Sequence, residues 1–105
     1  MVVARFSKWV FKEGKRNQVF HELDSTFGDV ARKTTGYRGV ISLINKDDPN
    51  VGLVITLWND EEALKVSETA VFKSAVQKVM ANLKEPPKFE KYTVFTVELK
   101  QLIPQ

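Results

Sequence analysis

Arg5, Ser7, Thr56 and Trp58 are the residues whose types and spacing best suit chemistry on a small molecule. Arg5 and Ser7 stand two apart, as do Thr56 and Trp58, so in extended strands each pair shares a face. A guanidinium and a hydroxyl on one face can bond one oxygen of a ligand, and an indole can stack on a flat aromatic body. Val54 alternates onto the face of Trp58. Phe72 and Val76, four apart in a stretch of helical periodicity, could line the same space. Together these residues describe an apolar cleft with a few polar groups, the usual construction of a small-molecule site. The alternative is structural: Arg5 snorkels to solvent, the hydroxyls bond locally, and Trp58 anchors a strand-helix corner.

Catalytic groups are scarce. His21 is the single histidine, beside Phe20 and just off an apolar helical stripe. Glu22 and Asp24 are close in sequence but are read as pointing elsewhere, and one histidine makes a poor metal site, so His21 reads as a boundary or exposed residue. His21 is the weak candidate for a general base, and Arg5 for the group that holds an anion. Ser7 has no histidine predicted beside it, which argues against nucleophilic catalysis. No Gly-rich phosphate loop and no metal-ligand cluster occurs, so neither cofactor nor metal is expected. Trp9 reads as an edge or interface aromatic. Tyr37 and Tyr92 begin strands and read as structural.

The elements that would position these residues follow from periodicity. Val2 to Phe11 is β-branched or aromatic at most positions and predicts a first strand. From Lys15 to about Lys33 the period changes: Val19, Phe20, Leu23, Phe27, Val30 and Ala31 mark an amphipathic helix, with Gly36 suited to its left-handed C-terminus. Tyr37 to Asn45 and Val51 to Trp58 are strands joined at Lys46-Asp47-Asp48-Pro49-Asn50, a short turn that makes them an antiparallel hairpin. Asn59 is the expected N-cap, with Glu62 three residues on. Helical periodicity runs from Asp60 to Leu83, broken near Ser67-Glu68-Thr69. Pro86-Pro87 stops it, and Tyr92 to Leu99 alternates as a last strand. The order strand, helix, strand, strand, helix, strand predicts one α+β, ferredoxin-like βαββαβ domain with an antiparallel sheet, over residues 1–105.

Composition agrees with one domain. The chain has 105 residues, 43% hydrophobic and 28% charged, within the ordinary globular range. The net charge is +3, with lysines scattered among acids rather than massed, so no nucleic-acid footprint is expected. No cysteine is present, which excludes a disulfide framework and fits a reducing cytoplasm. Neither a signal peptide nor a membrane-spanning stretch is expected.

Alternation sorts the strands into two faces. Ala4, Phe6, Ile41, Leu43, Leu53, Ile55, Leu57, Phe95 and Val97 form an apolar set; Val3, Arg5, Ser7, Trp9, Val40, Ser42, Val54, Thr56, Trp58, Val94 and Thr96 form a mixed one. Two helices cover one face only. An apolar face left over predicts a partner, and the economical partner is a second copy. The mixed set then faces the helices.

The chain resembles the antibiotic-biosynthesis-monooxygenase superfamily of dimeric α+β barrels. The resemblance rests on Phe11-Lys12-Glu13-Gly14-Lys15, Thr35-Gly36-Tyr37-Arg38-Gly39-Val40, Asp47-Asp48-Pro49-Asn50, Leu57-Trp58-Asn59-Asp60-Glu61-Glu62-Ala63-Leu64 and Val71-Phe72-Lys73. It spans roughly residues 2–99. It implies a homodimer, a pocket in each subunit between sheet and helices, and often oxygen chemistry without metal or flavin. In the haem-degrading branch the resemblance puts an asparagine at Ser7, a tryptophan near Val66 or Ser67, and the iron-ligating histidine at Val76. The iron ligand is therefore missing here. The polyketide-quinone branch shares Trp58, and its asparagine falls at Val54.

Two readings follow. One is a pocket protein for a small hydrophobic or aromatic ligand that oxygenates a phenolic or quinol-like substrate without a cofactor. The other is a non-catalytic dimeric barrel that binds or senses a hydrophobic ligand. An RNA-recognition domain shares the strand order, yet the third strand is aliphatic up to its last residue and lacks stacking aromatics.

Overall fold

The computed structural model describes residues 1–100. Four strands form one antiparallel sheet: β1 (Val3–Val10), β2 (Tyr37–Ile44), β3 (Val51–Trp58) and β4 (Lys88–Thr93), in spatial order β2-β3-β1-β4. The first helical run comprises α1 (Arg16–Leu23), a π-helical turn (Asp24–Gly28) and α2 (Asp29–Lys33). The second comprises α3 (Glu61–Ser67) and α4 (Ala70–Val79), ending in a 3₁₀ turn at Met80–Asn82. This is the expected βαββαβ order, with the break between α3 and α4 where the sequence predicts it.

Both helical runs lie on the mixed face. Val3, Arg5, Ser7, Trp9, Thr56 and Trp58 are buried beneath them. Two apolar clusters hold the layers together. Trp9, Phe11, Val19, Val79 and Leu83 form one; Val3, Ala31, Trp58 and Leu64 form the other. Gly36 (φ +95°) has a specific reason to be glycine. A Cβ there would stand 2.6 Å from the Ala63 Cβ, and its carbonyl accepts a 2.8 Å bond from the Asn59 amide. That contact seats the start of α3 against the start of β2.

Two boundaries differ from expectation. Asp60, not Asn59, caps α3: its Oδ1 accepts from the Ala63 amide at 2.9 Å. The last strand is Lys88–Thr93 rather than Tyr92–Leu99. It pairs antiparallel with β1, from Ser7↔Phe89 to Val3↔Thr93, and the Val94 amide donates to the Val2 carbonyl. The ladder ends there with β1, and among the described residues the alternating ones that follow pair with no strand. Phe95 is 97% exposed, and Val97 and Leu99 are exposed too.

The opposite face of the sheet is bare. Ile41 and Leu43 are exposed, and Phe6, Leu53, Ile55 and Leu57 are only partly covered. Tyr92 packs edge-on against Phe6 there.

Candidate functional site

A cavity of about 310 Å³ lies between the mixed sheet face and the helices. Strands supply its floor: Arg5, Ser7 and Trp9 from β1, Val54 and Thr56 from β3, Phe89 from β4. The first helical run supplies a wall. The π turn inserts one extra residue per turn, a feature common at functional sites, and three of its residues, Asp24, Phe27 and Gly28, line the cavity. Phe72 of α4 closes the other side.

Arg5 is 4% exposed, so it does not snorkel. Its Nη2 donates to Ser67 Oγ at 2.7 Å and lies 3.6 Å from Glu68 Oε1. Ser67 Oγ donates in turn to the Leu64 carbonyl. Lys91 Nζ lies 2.7 Å from the same Glu68 oxygen. The guanidinium carbon sits 4.4 Å from the Phe72 ring centroid and 5.7 Å from that of Phe27, so π-faces stabilise the cation. Nη1 is buried without a hydrogen-bond partner among the described residues. Burial lowers the Arg5 pKa, and Glu68 restores part of it. Desolvation would raise the Glu68 carboxyl; the hydrogen bond and charge of Lys91, then those of Arg5, outweigh it and hold it below the usual carboxylate value.

The two buried hydroxyls bond locally, as the structural alternative predicts. Ser7 Oγ accepts from Trp9 Nε1 at 2.8 Å and donates to the Val54 carbonyl at 3.2 Å. Thr56 Oγ1 accepts from Trp58 Nε1 at 3.1 Å. Each tryptophan is thus fixed by the residue two positions before it on the same strand face.

The fold brings five of the sequence-derived candidates, Arg5, Ser7, Val54, Thr56 and Phe72, to one cavity. Three stand elsewhere. Trp58 is fully buried, packed with Val3, Ala31 and Leu64 and edge-on to Tyr37, because it ends β3 beneath α3; it is a packing anchor and no cavity wall. Val76 packs against the cluster of Trp9 and Val79, one turn beyond Phe72 and outside the cavity. His21 is exposed on α1 and absent from the lining. Among the described residues no group of three or more His, Asp or Glu could hold a metal ion.

Trp9 corrects the sequence reading in the other direction. It is 3% exposed and lines the cavity, with no edge role. Alternation from Arg5 and Ser7 carries that signal. Phe27, Phe72, Phe89 and Trp9 form a chain of edge-to-face contacts at 4.8, 5.4 and 6.0 Å around the arginine. Phe89 falls before the strand that alternation predicts, because β4 begins at Lys88 and not at Tyr92. At the rim, Asp24 bonds Arg32 at 2.8 Å, and desolvation raises the Tyr37 phenol above its ordinary pKa.

No family model matches this sequence, and no curated protein matches it either. Solved structures do. A protein from Nitrosomonas europaea described as a candidate antibiotic biosynthesis monooxygenase superposes with a TM-score of 0.77 at 16% identity, over 90% of this chain and 90% of that one. A conserved protein from Methanosarcina mazei gives 0.77 at 16% identity, over 88% and 91%. A structure titled antibiotic biosynthesis monooxygenase gives 0.73 at 15%, over 90% and 99%. At such identities the likeness establishes the architecture alone: this chain has the ferredoxin-like α+β fold of the antibiotic biosynthesis monooxygenases.

Proposed function

We propose that this chain is a small-molecule binding protein of the antibiotic-biosynthesis-monooxygenase superfamily, and that its cavity takes a planar hydrophobic molecule bearing an acidic or carbonyl oxygen. The buried Arg5 carries the reading. A cation set in an aromatic-lined cavity with an unbonded Nη1 costs stability unless something anionic or oxygen-bearing meets it. The motifs around Gly36 and Trp58 and the neighbours' shared architecture support the family. A cavity of this size suits a two- or three-ring compound.

The reaction such a site suits is cofactor-independent oxygenation of a phenolic or quinol-like substrate. The bound anion is itself the reductant of oxygen, while the protein supplies a dry cavity and a positive group. The non-catalytic reading, a protein that binds or senses a hydrophobic ligand, draws on a different observation. Among the described residues the cavity holds no histidine, and its one carboxylate, Asp24, is ion-paired through Oδ1 with Arg32. Titration with naphthols, naphthoquinones and flavonoids, read by Trp9 fluorescence, tests binding. Oxygen consumption with each bound compound then separates turnover from mere binding. If no compound perturbs Trp9, the pocket reading fails.

We also propose a homodimer in which the bare sheet faces meet. Apolar Ile41, Leu43, Leu53 and Ile55 lie on that face, and the overrunning segment with Phe95, Val97 and Leu99 would find its cover on the second copy. A chain without cysteine suits the cytoplasm, where we place it. Among the described residues no helix is long and apolar enough to cross a membrane.

A further inference from the structure

Gly28 has no conformational reason to be glycine. It closes the π turn in ordinary helical geometry (φ −57°, ψ −41°), where alanine is the better residue. Its reason is space. A Cβ there would stand 2.9 Å from Asp24 Oδ1 and 3.2 Å from Arg32 Nη1. Those atoms are the two ends of an ion pair that crosses the glycine, with Arg32 Nη1 donating to Asp24 Oδ1 at 2.8 Å.

The same guanidinium takes a second hold. Its Nη2 donates to the Asp24 carbonyl at 3.3 Å. That carbonyl also accepts the Asp29 amide, five residues on, which is the bond that makes the turn π rather than α. A carbonyl has two lone pairs and can take both donors. Arg32 thus grips the π turn at its defining bond. Hydroxyls tie down the near end: Thr26 Oγ1 and Ser25 Oγ donate to the Glu22 carbonyl at 2.7 and 3.2 Å.

Stability does not account for this arrangement. The Arg32 and Asp24 side chains are 45% and 67% exposed, and an exposed ion pair contributes little. A helical glycine costs about as much as such a pair returns. What the strap does set is the cavity wall, which Asp24, Phe27, Gly28 and Arg32 all line. The π turn carries Phe27 into that wall, edge-on to Phe72 at 4.8 Å and 5.7 Å from the Arg5 guanidinium carbon.

We infer that Arg32 is a positioning residue of the cavity. Acting through Asp24 across the gap at Gly28, it holds the π turn and so keeps Phe27 in the wall beside Arg5. The inference rests on the binding role proposed above, and it concerns how the cavity is shaped rather than which molecule fills it.

The test uses the full chain, with 1,4-naphthoquinone as the probe and Trp9 fluorescence as the readout. Arg32→Met and Asp24→Ala should each weaken binding roughly two- to ten-fold, the worth of one aromatic contact. Asp24→Asn, whose amide oxygen still accepts from Arg32, should keep most of the affinity. Gly28→Ala separates placement from stability: the melting temperature should hold or rise, as helix propensity directs, while binding weakens as in Arg32→Met. In an Arg32→Met background Gly28→Ala should weaken binding no further. A full second loss there would mean that the new methyl group itself obstructs the cavity, and would overturn the strap, as would unchanged affinity in Arg32→Met. If the wild type does not bind the quinone, the binding role fails by itself and amide exchange decides the strap. The Asp29 amide should then exchange several-fold faster in Arg32→Met while that of Val19 does not change. An unchanged Asp29 rate overturns it.

Discussion

Replacing Arg5 by methionine should leave the protein about as stable as before while removing its capacity to hold an anion. The magnitude can be built from the contacts. The wild type carries a buried, unbonded Nη1, whose removal returns about 1–3 kcal/mol. Methionine sulfur near the Phe72 face contributes about 0.3–1.5 kcal/mol. Against this, the cation–π contact at 4.4 Å is lost, about 0.5–2 kcal/mol. The bond to Ser67 is lost as well, about 1.5–3 kcal/mol for a charged donor. Glu68 is not orphaned, because Lys91 holds it at 2.7 Å, and Ser67 keeps the Leu64 carbonyl. The central values nearly cancel, about 3 kcal/mol gained against about 3.5 lost, and the extremes run from about 4 kcal/mol of net loss to about 2.5 of net gain. Urea unfolding followed by tryptophan fluorescence gives the midpoint and slope. A loss above about 4 kcal/mol, beyond what these contacts can supply, would show that Arg5 is there for the fold, and the reasoning that sets it aside for a ligand would be refuted.

Gly36→Ala should destabilise the chain by about 2–4 kcal/mol, from a strained positive φ and a Cβ set 2.6 Å from that of Ala63; Ala63→Gly in the same chain should recover the steric part alone, and full recovery by thermal melting would contradict the φ argument. The Glu68 carboxyl is held below its usual value of 4.5, so its contribution is present above that pH and lost as pH falls through the lowered folded value. Glu68→Gln should therefore flatten the acid side of the stability profile, and an unchanged acid limb would discount the Lys91–Glu68–Arg5 chain. Sedimentation velocity should give about 24 kDa, twice the 12.0 kDa chain, and Ile55→Asp, a charge placed on the bare sheet face, should split that species or unfold it. A monomeric wild type would remove the dimer.

The fold was legible because local signals agreed with one another. Alternation in β1 and β3 placed Arg5, Ser7, Val54 and Thr56 on the helix-covered face, and the structure has them there. What misled was context that alternation does not contain. Trp58 shares the face of Thr56, but it ends β3 beneath α3, and burial under Leu64 turns a stacking ring into a core one. The last strand was misplaced because residues 94–99 alternate as well as Phe89–Thr93 does; only the finite length of β1 decides which of them pairs inside the chain. The π turn and the commitment of Ser7 to Trp9 have no sequence signature and needed coordinates.

A crystal structure of the protein with 1,4-naphthoquinone tests the central claim most directly. The account predicts the ring system in the cavity between Phe72 and Val54, with one carbonyl oxygen within hydrogen-bonding distance of Arg5 Nη1. A quinone bound on the bare sheet face, or a cavity filled by Phe72 and Phe89 with Arg5 turned away, would contradict it.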